Sequence, residues 1–231
     1  LAFLSAYDPS VLPALPAIFQ LPGLNVIAQR GIRPLSKFLS KAWAEPVYQL
    51  RREIGLPSLK GNPLIDDKYS PGLVLAMFSP VFAAPQPDWP TNTVLTGFTF
   101  YDGSEGGRQL PTELDQFLDA GEPPIVFTLG SAAVVSPGQF YEESINAVSR
   151  LDRRAVLLMG KNALPADLPK NIIAVNYTPY SQLFSRACAI VHQGGVGTTA
   201  QALRAGRPTL VTPYSVDQPD NAARVERLGT S

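Results

Sequence analysis

The chain has 231 residues, 45% of them hydrophobic, with 19 lysines and arginines against 19 aspartates and glutamates. That length holds one large or two modest domains, and the composition supports a packed core rather than a disordered chain. A formal net charge of zero excludes a partner recognised through a broad basic face, nucleic acid above all. No apolar run approaches the ~18 residues of a membrane span, and no signal-peptide pattern opens the chain. Residues 1–4 resemble a strand already under way, and the chain stops at Gly229-Thr230-Ser231 just after a helical pattern. Both ends are therefore expected to be cut.

Up to residue 107 the sequence is proline-rich and weakly periodic. Residues 1–5 form a short apolar run before the turn Asp8-Pro9. From 33 to 54, Leu35, Phe38, Leu39, Ala42, Trp43, Val47 and Leu50 follow helical spacing, and Pro46 is expected to kink or divide that helix. Residues 73–78 and 93–96 are strand candidates. The polar, glycine-bearing stretch 101–107 is the expected linker, which divides the chain into residues 1–107 and 108–231.

After the linker the pattern becomes regular. Strands are expected at 123–129, 154–159, 171–175, 187–191 and 208–211, and helices at 137–151, near 180–185, at 197–205 and at 218–228. Short apolar strands alternating with helices indicate an α/β doubly wound parallel sheet, in which ligands bind beyond the carboxyl ends of the strands. Cys188, the single cysteine, falls in an apolar run and is expected to be a buried small hydrophobe. One unpaired cysteine fits a reducing, cytoplasmic setting.

Three turns carry chemistry. In Val191-His192-Gln193-Gly194-Gly195-Val196-Gly197-Thr198-Thr199 a strand ends, a glycine-rich turn follows and a helix begins. Glycines allow close backbone approach to an anion, and a helix start offers unpaired N–H groups with a positive dipole, so phosphate is the natural guest. His192 can donate a further hydrogen bond. A ligand-free strand-to-helix turn is the other reading. The spacing is neither that of a Walker loop nor of a dinucleotide fingerprint. Gly130-Ser131, after the strand ending near Leu129, can add a hydroxyl to the same ligand or be a plain loop. Asp217 and Gln218, at the start of the last helix, set an acceptor beside an amide, which suits vicinal sugar hydroxyls. A capping role for Asp217 is the alternative.

Asn176-Tyr177-Thr178-Pro179, the glycine turn, Arg204-Ala205-Gly206-Arg207-Pro208 and Asp217-Gln218 together resemble the donor-site signature of family 1 glycosyltransferases. The likeness is nearest to bacterial members acting on natural products and sterol-like acceptors. The first half fits more loosely, through Phe78-Ser79-Pro80, Pro87-Asp88-Trp89-Pro90 and Gly97-Phe98. The resemblance implies a GT-B architecture of two Rossmann-like domains, the N-terminal one incomplete and the C-terminal one truncated. Residues 1–107 would be the partial acceptor-binding domain and linker, and residues 108–231 the donor-binding domain.

By that resemblance His192 and the N–H groups of residues 194–198, which include Gly194, Gly195, Gly197 and Thr198, hold the diphosphate of a UDP or dTDP hexose. Ser131 touches it, Tyr177 stacks on the base, and Asp217 with Gln218 bind the sugar. Ser5 would reach the sugar from the other domain. Transfer is expected to be inverting, without metal or cofactor, to a hydroxyl of a lipophilic small molecule. Three departures stand out. Gln201 occupies the place of a ribose-gripping glutamate, and Tyr177 that of a tryptophan common in plant members. The general-base histidine has no counterpart, since His192 is the chain's one histidine. Asp8 and Asp88 are the carboxylates that would have to substitute, though their turn contexts favour ordinary loop roles. Without the base, the chain is expected to bind donor and not transfer sugar. The rivals are a non-catalytic nucleotide-sugar-binding module and a nucleotide-sugar epimerase of similar fold. Phe38 and Trp43 beside Lys37 and Lys41 hint at a lipophilic acceptor or a peripheral membrane contact, against ordinary packing.

Overall fold

A computed structural model describes residues 5, 7–8, 24–66, 69–102 and 110–231. The run 1–4 and most of the expected linker lie outside the described residues. The chain divides into two compact units, Phe3–Gly97 and Phe98–Ser231. The division falls ahead of the expected linker for a physical reason. Phe100 and Asp102 are already attached to the second unit, with the Arg204 guanidinium 4.6 Å from the Phe100 ring and 2.8 Å from both Asp102 carboxylate oxygens.

The first unit contains α1 (Leu24–Leu39), α2 (Lys41–Glu53), β1 (Val74–Ala76) and β2 (Thr93–Leu95), the strands pairing in parallel from Val74↔Thr93 to Ala76↔Leu95. The helical stretch begins earlier than its periodicity indicates and breaks at Ser40, not at Pro46, which lies inside α2. At the break the Ser40 hydroxyl donates to the Ser36 carbonyl at 2.6 Å. The Asn62 amide donates to the Lys37 carbonyl and to Ser40 Oγ, at 3.1 and 2.9 Å. Side chains thus take helix acceptors and turn the chain there. Phe78 and Phe82 are buried, and Trp89 meets Phe78 edge-on at 5.9 Å.

The second unit runs α3 (Thr112–Asp119), β3 (Ile125–Thr128), a 3-10 turn (Ala133–Val135), α4 (Phe140–Leu151), β4 (Ala155–Leu158) and β5 (Ile172–Val175). It continues with α5 (Tyr180–Leu183) and a second 3-10 turn (Phe184–Arg186), then β6 (Ala189–His192), α6 (Val196–Ala205), β7 (Thr209–Val211) and α7 (Gln218–Arg227). All five strands are parallel, in the order β5-β4-β3-β6-β7. Alternate side chains explain the layers. Val126, Val156, Leu158 and Ile190 pack with Leu114 and Leu118 of α3, Leu183 of α5 and Ala202 of α6. Phe127, Leu157 and Val191 pack with Tyr141 and Val148 of α4. Each such side chain, fully buried, contributes roughly 1.5–3 kcal/mol. Both faces of the central strands are covered, and these strands are apolar up to Thr128 and His192 at their carboxyl ends, as in a Rossmann-like sheet.

Cys188 corrects an expectation. It is exposed, because β6 starts at Ala189, two residues later than expected, and Cys188 sits at the mouth of the strand, its N–H bonded to the Pro124 carbonyl. Among the described residues no helix is long and apolar enough to cross a membrane, and no group of three or more His, Cys, Asp or Glu is placed to hold a metal ion.

Candidate functional site

Strand order reverses between β3 and β6: from β3 the sheet grows through β4 to β5, and from β6 to β7. Such a reversal opens a crevice beyond the carboxyl ends of the two central strands. The turns there are Leu129-Gly130-Ser131 after β3 and Gln193-Gly194-Gly195 after β6, and Thr128 and His192 are register partners at their roots.

The turn after β6 is held from inside. His192 is fully buried at the end of its strand, and its Nδ1 accepts the Gly194 N–H at 3.1 Å. In the neutral ring the proton is therefore on Nε2, which is buried and has no partner. Burial pushes the imidazole down to about 4, so at neutral pH it is a dipole and not a cation. Gly194 adopts φ +87°, and a Cβ there would sit 2.8 Å from Val211 Cγ1 and 3.1 Å from the Gln218 carbonyl oxygen. Only glycine fits.

Helix α6 starts in the open. Val196 and Gly197 are exposed, and the first helical bond runs from the Thr199 N–H to the Gly195 carbonyl. The N–H groups of Gly195, Val196, Gly197 and Thr198 precede that bond and make no carbonyl bond across the helix start. The expected five-residue set of donors is thus four, the Gly194 N–H being engaged by His192. The Thr198 side chain lies beside the Tyr180 hydroxyl, which is 2.9 Å from Thr128 Oγ1. Thr198 offers its backbone to the crevice.

Gln193 escaped the sequence reading. Its side chain lies between the two central turns. A Cβ on Gly130, at φ +63°, would overlap its Nε2, and one on Gly195 would stand 2.8 Å from it. Gln193 Oε1 is buried without a partner, as is Thr199 Oγ1. Three unpartnered polar atoms within eight residues at one helix start, counting His192 Nε2, point to a polar ligand. The only available signal was the glycine on either side, which makes room for a side chain as well as for an anion. Ser131 is exposed in its turn.

The flanking residues sort themselves by strand. Tyr177, 62% exposed, follows β5, which lies three strands from β6, ~14 Å away at ~4.8 Å per strand. Asp217 and Gln218 follow β7 on the other side. Asp217 is the N-cap residue of α7, yet its side chain makes no capping bond; its Oδ2 accepts from the Asn221 amide at 2.9 Å. Gln218 Oε1 accepts the N–H groups of Tyr214 and Ser215 at 2.7 and 3.0 Å, so its carbonyl shapes the loop and its NH₂ is what remains for a ligand. Gln201 lies near Asp102, and its Oε1 is buried and unpartnered. The hydrogen bonds from Arg204, with its charge, and those from Ser181 and Gln201 hold the Asp102 carboxyl below its usual range.

In the first unit, the Ser5 hydroxyl donates to Asp88 Oδ1 at 2.7 Å and accepts the Tyr7 N–H at 3.1 Å. Ser5 and Asp88 thus serve each other within that unit, and Asp8 is buried there.

Known proteins resemble this chain in sequence and fold. The sequence profile described as "Erythromycin biosynthesis protein CIII-like, C-terminal domain" matches residues 142–231. The O-mycaminosyltylonolide 6-deoxyallosyltransferase of Streptomyces fradiae is 39% identical over 187 residues, 80% of this chain and 43% of that protein. The chain is similar in sequence to family 1 glycosyltransferases. A sterol 3-beta-glucosyltransferase of Neurospora crassa is 30% identical over 237 residues, 94% of this chain and 15% of that protein. The crystal structure of the glycotransferase of kitacinnamycin superposes with a TM-score of 0.66 at 23% identity, covering 87% of this chain and 52% of that one, which places the fold with the GT-B glycosyltransferases. The chain spans less than half the length of these two curated family members.

Proposed function

We propose that this chain carries the donor site of a glycosyltransferase that moves a hexose from a UDP or dTDP sugar to a hydroxyl of a lipophilic small molecule. One observation carries the reading: the open start of α6 at the strand-order reversal, with four N–H groups ahead of its first helical bond and unpartnered buried polar atoms beside it. The diphosphate seats on those N–H groups, with Gln193 and Ser131 reaching it from either side. The base lies toward Tyr177 and the sugar toward Asp217 and the Gln218 NH₂. Gln201 Oε1 accepts from a ribose hydroxyl. Base, diphosphate and sugar then lie in the same order as β5, β6 and β7.

The reaction is inverting and metal-independent. A general base takes the acceptor proton, the oxygen attacks the anomeric carbon, and the diphosphate departs from the opposite face. Charge developing on it is met by the α6 dipole and N–H groups, worth ~0.3–2 kcal/mol each outside an active site and more in a dry cleft. His192 is tied into the turn and takes no proton from the acceptor, so the base belongs to the remainder of the parent protein. The setting is cytoplasmic, in keeping with one free cysteine.

Mass spectrometry of the parent protein with nucleotide sugars and a panel of sterol and macrolide alcohols tests this. The parent should form a glycoside, and the 231-residue chain should bind donor without forming one. A base contributes ~10²–10⁴-fold, so its loss leaves little turnover. Turnover by the chain that Asp8→Asn abolishes would contradict the assignment, and a parent that binds nucleotide sugar but never transfers it would favour a binding module.

A further inference from the structure

We infer that Asn221 is a positioning residue of the donor site: by holding the Gly194 carbonyl, it turns the Gly195 N–H toward the ligand's diphosphate. The inference rests on the donor reading above. Asn221 stands on α7, fully buried, and its amide nitrogen donates twice, to the Gly194 carbonyl at 2.8 Å and to Asp217 Oδ2 at 2.9 Å. Among the described residues there is no cis peptide bond. In a trans peptide the C=O and N–H point in opposite directions. The Gly194 oxygen and the Gly195 N–H belong to one such peptide. With the oxygen drawn inward to Asn221, the N–H faces outward, on a half-buried residue at the head of α6.

The other end of the same residue is fixed as well, since the Gly194 N–H is bonded to His192 Nδ1. Side chains from β6 and α7 therefore grip Gly194 on both sides, and the φ of +87° between them is a conformation imposed on the turn. The second Asn221 donor holds the carboxylate proposed to read the sugar. One planar NH₂ thus sets the diphosphate-binding peptide and the sugar-binding carboxylate in a fixed relation, a task that needs two donors on one short side chain.

A merely structural asparagine would cost stability and leave the affinity of the folded protein alone. Asn221→Asp separates the two roles, because it keeps the shape and loses both donors when ionised. Calorimetric titration of the chain with uridine diphosphate, with circular dichroism confirming the fold, should show binding at least about tenfold weaker than the parent at pH 8. The variant-to-parent ratio should shrink toward pH 5, where a protonated carboxyl can again donate to the Gly194 oxygen. Equal affinities throughout that range would overturn the inference.

The double variant Asn221→Asp with Asp217→Asn restores the bond between positions 217 and 221 with reversed polarity and leaves the Gly194 oxygen facing a carboxylate. It should still bind weakly at pH 8, and full recovery would overturn the role given to the Gly194 carbonyl. If neither variant folds, the parent decides: its Gly195 amide resonance should move on adding uridine diphosphate, and one that stays put contradicts the inference. A parent that binds no diphosphate overturns the donor reading and this inference with it.

Discussion

The units Phe98–Ser231 and Phe3–Gly97 place their apolar residues differently. In the second unit the strands send alternate side chains into two helical layers, and Val126, Leu157 and Ile190 are completely buried. In the first, Phe38 and Trp43 stand 76% and 79% exposed on α1 and α2, and local devices such as the Asn62 amide shape the chain. A parallel sheet covered on both faces commits its strand residues to packing. The chemistry is left to the turns at its carboxyl edge, set by glycine and glutamine there and by Asn221 reaching in from α7. The second unit should therefore be fragile at a few named atoms, and the first tolerant on its helical face.

The largest effect expected is one of pH. The chain's single histidine, His192, is held at about 4 by burial, against an ordinary 6.5. Between those values the unfolded chain binds a proton that the folded chain refuses. The stability this group contributes is full above pH 6.5 and falls as pH drops toward 4, by about 3 kcal/mol. Chemical denaturation across that range should show the slope in the parent and lose it in His192→Asn. A parent histidine that titrates near 6.5 by NMR would break the contrast.

Next is Gly194→Ala, where the added methyl meets Val211 and the Gln218 carbonyl at an unfavourable φ. It should cost about 2 kcal/mol and weaken diphosphate binding further than stability alone accounts for. A smaller effect attaches to Gln201. A neutral amide oxygen grips a ribose hydroxyl less firmly than a carboxylate does, so UDP and dTDP sugars should compete within about tenfold, ~1.4 kcal/mol. Gln201→Glu should favour uridine, and a parental preference of several hundredfold would rule the idea out. Smallest of all, Trp43→Ser should change stability by less than about 0.5 kcal/mol and leave diphosphate affinity unchanged. A large loss would mean the exposed face of α2 is not the tolerant surface described here.

Much of the second unit was legible because its strands are apolar runs closed by glycine or proline, and the glycine turn advertises itself. The helix α3 went unread, although Leu114, Phe117 and Leu118 have helical spacing, because eight residues after a linker give periodicity little room. The break at Ser40 was hidden, since a proline is the conspicuous helix breaker while the Asn62 amide that turns the chain comes from 22 residues further on. Within the site, sequence names the residues of the turn and not their directions. His192 reads simply as a donor, and only the fold shows that its Nδ1 is taken by the Gly194 N–H and that Nε2 is the nitrogen left to donate; Gln193 and Asn221 are unremarkable letters until folding brings them against the glycines.

The central claim is that the start of α6 is built for a diphosphate. Calorimetric titration of the 231-residue chain with uridine and thymidine diphosphates, and with the matching monophosphates at the same ionic strength, tests it directly. The account predicts saturable one-to-one binding of both diphosphates, at least about tenfold tighter than the monophosphates and weakened by Gly194→Ala. Equal affinity for mono- and diphosphates, or diphosphate binding that Gly194→Ala leaves intact, would contradict it.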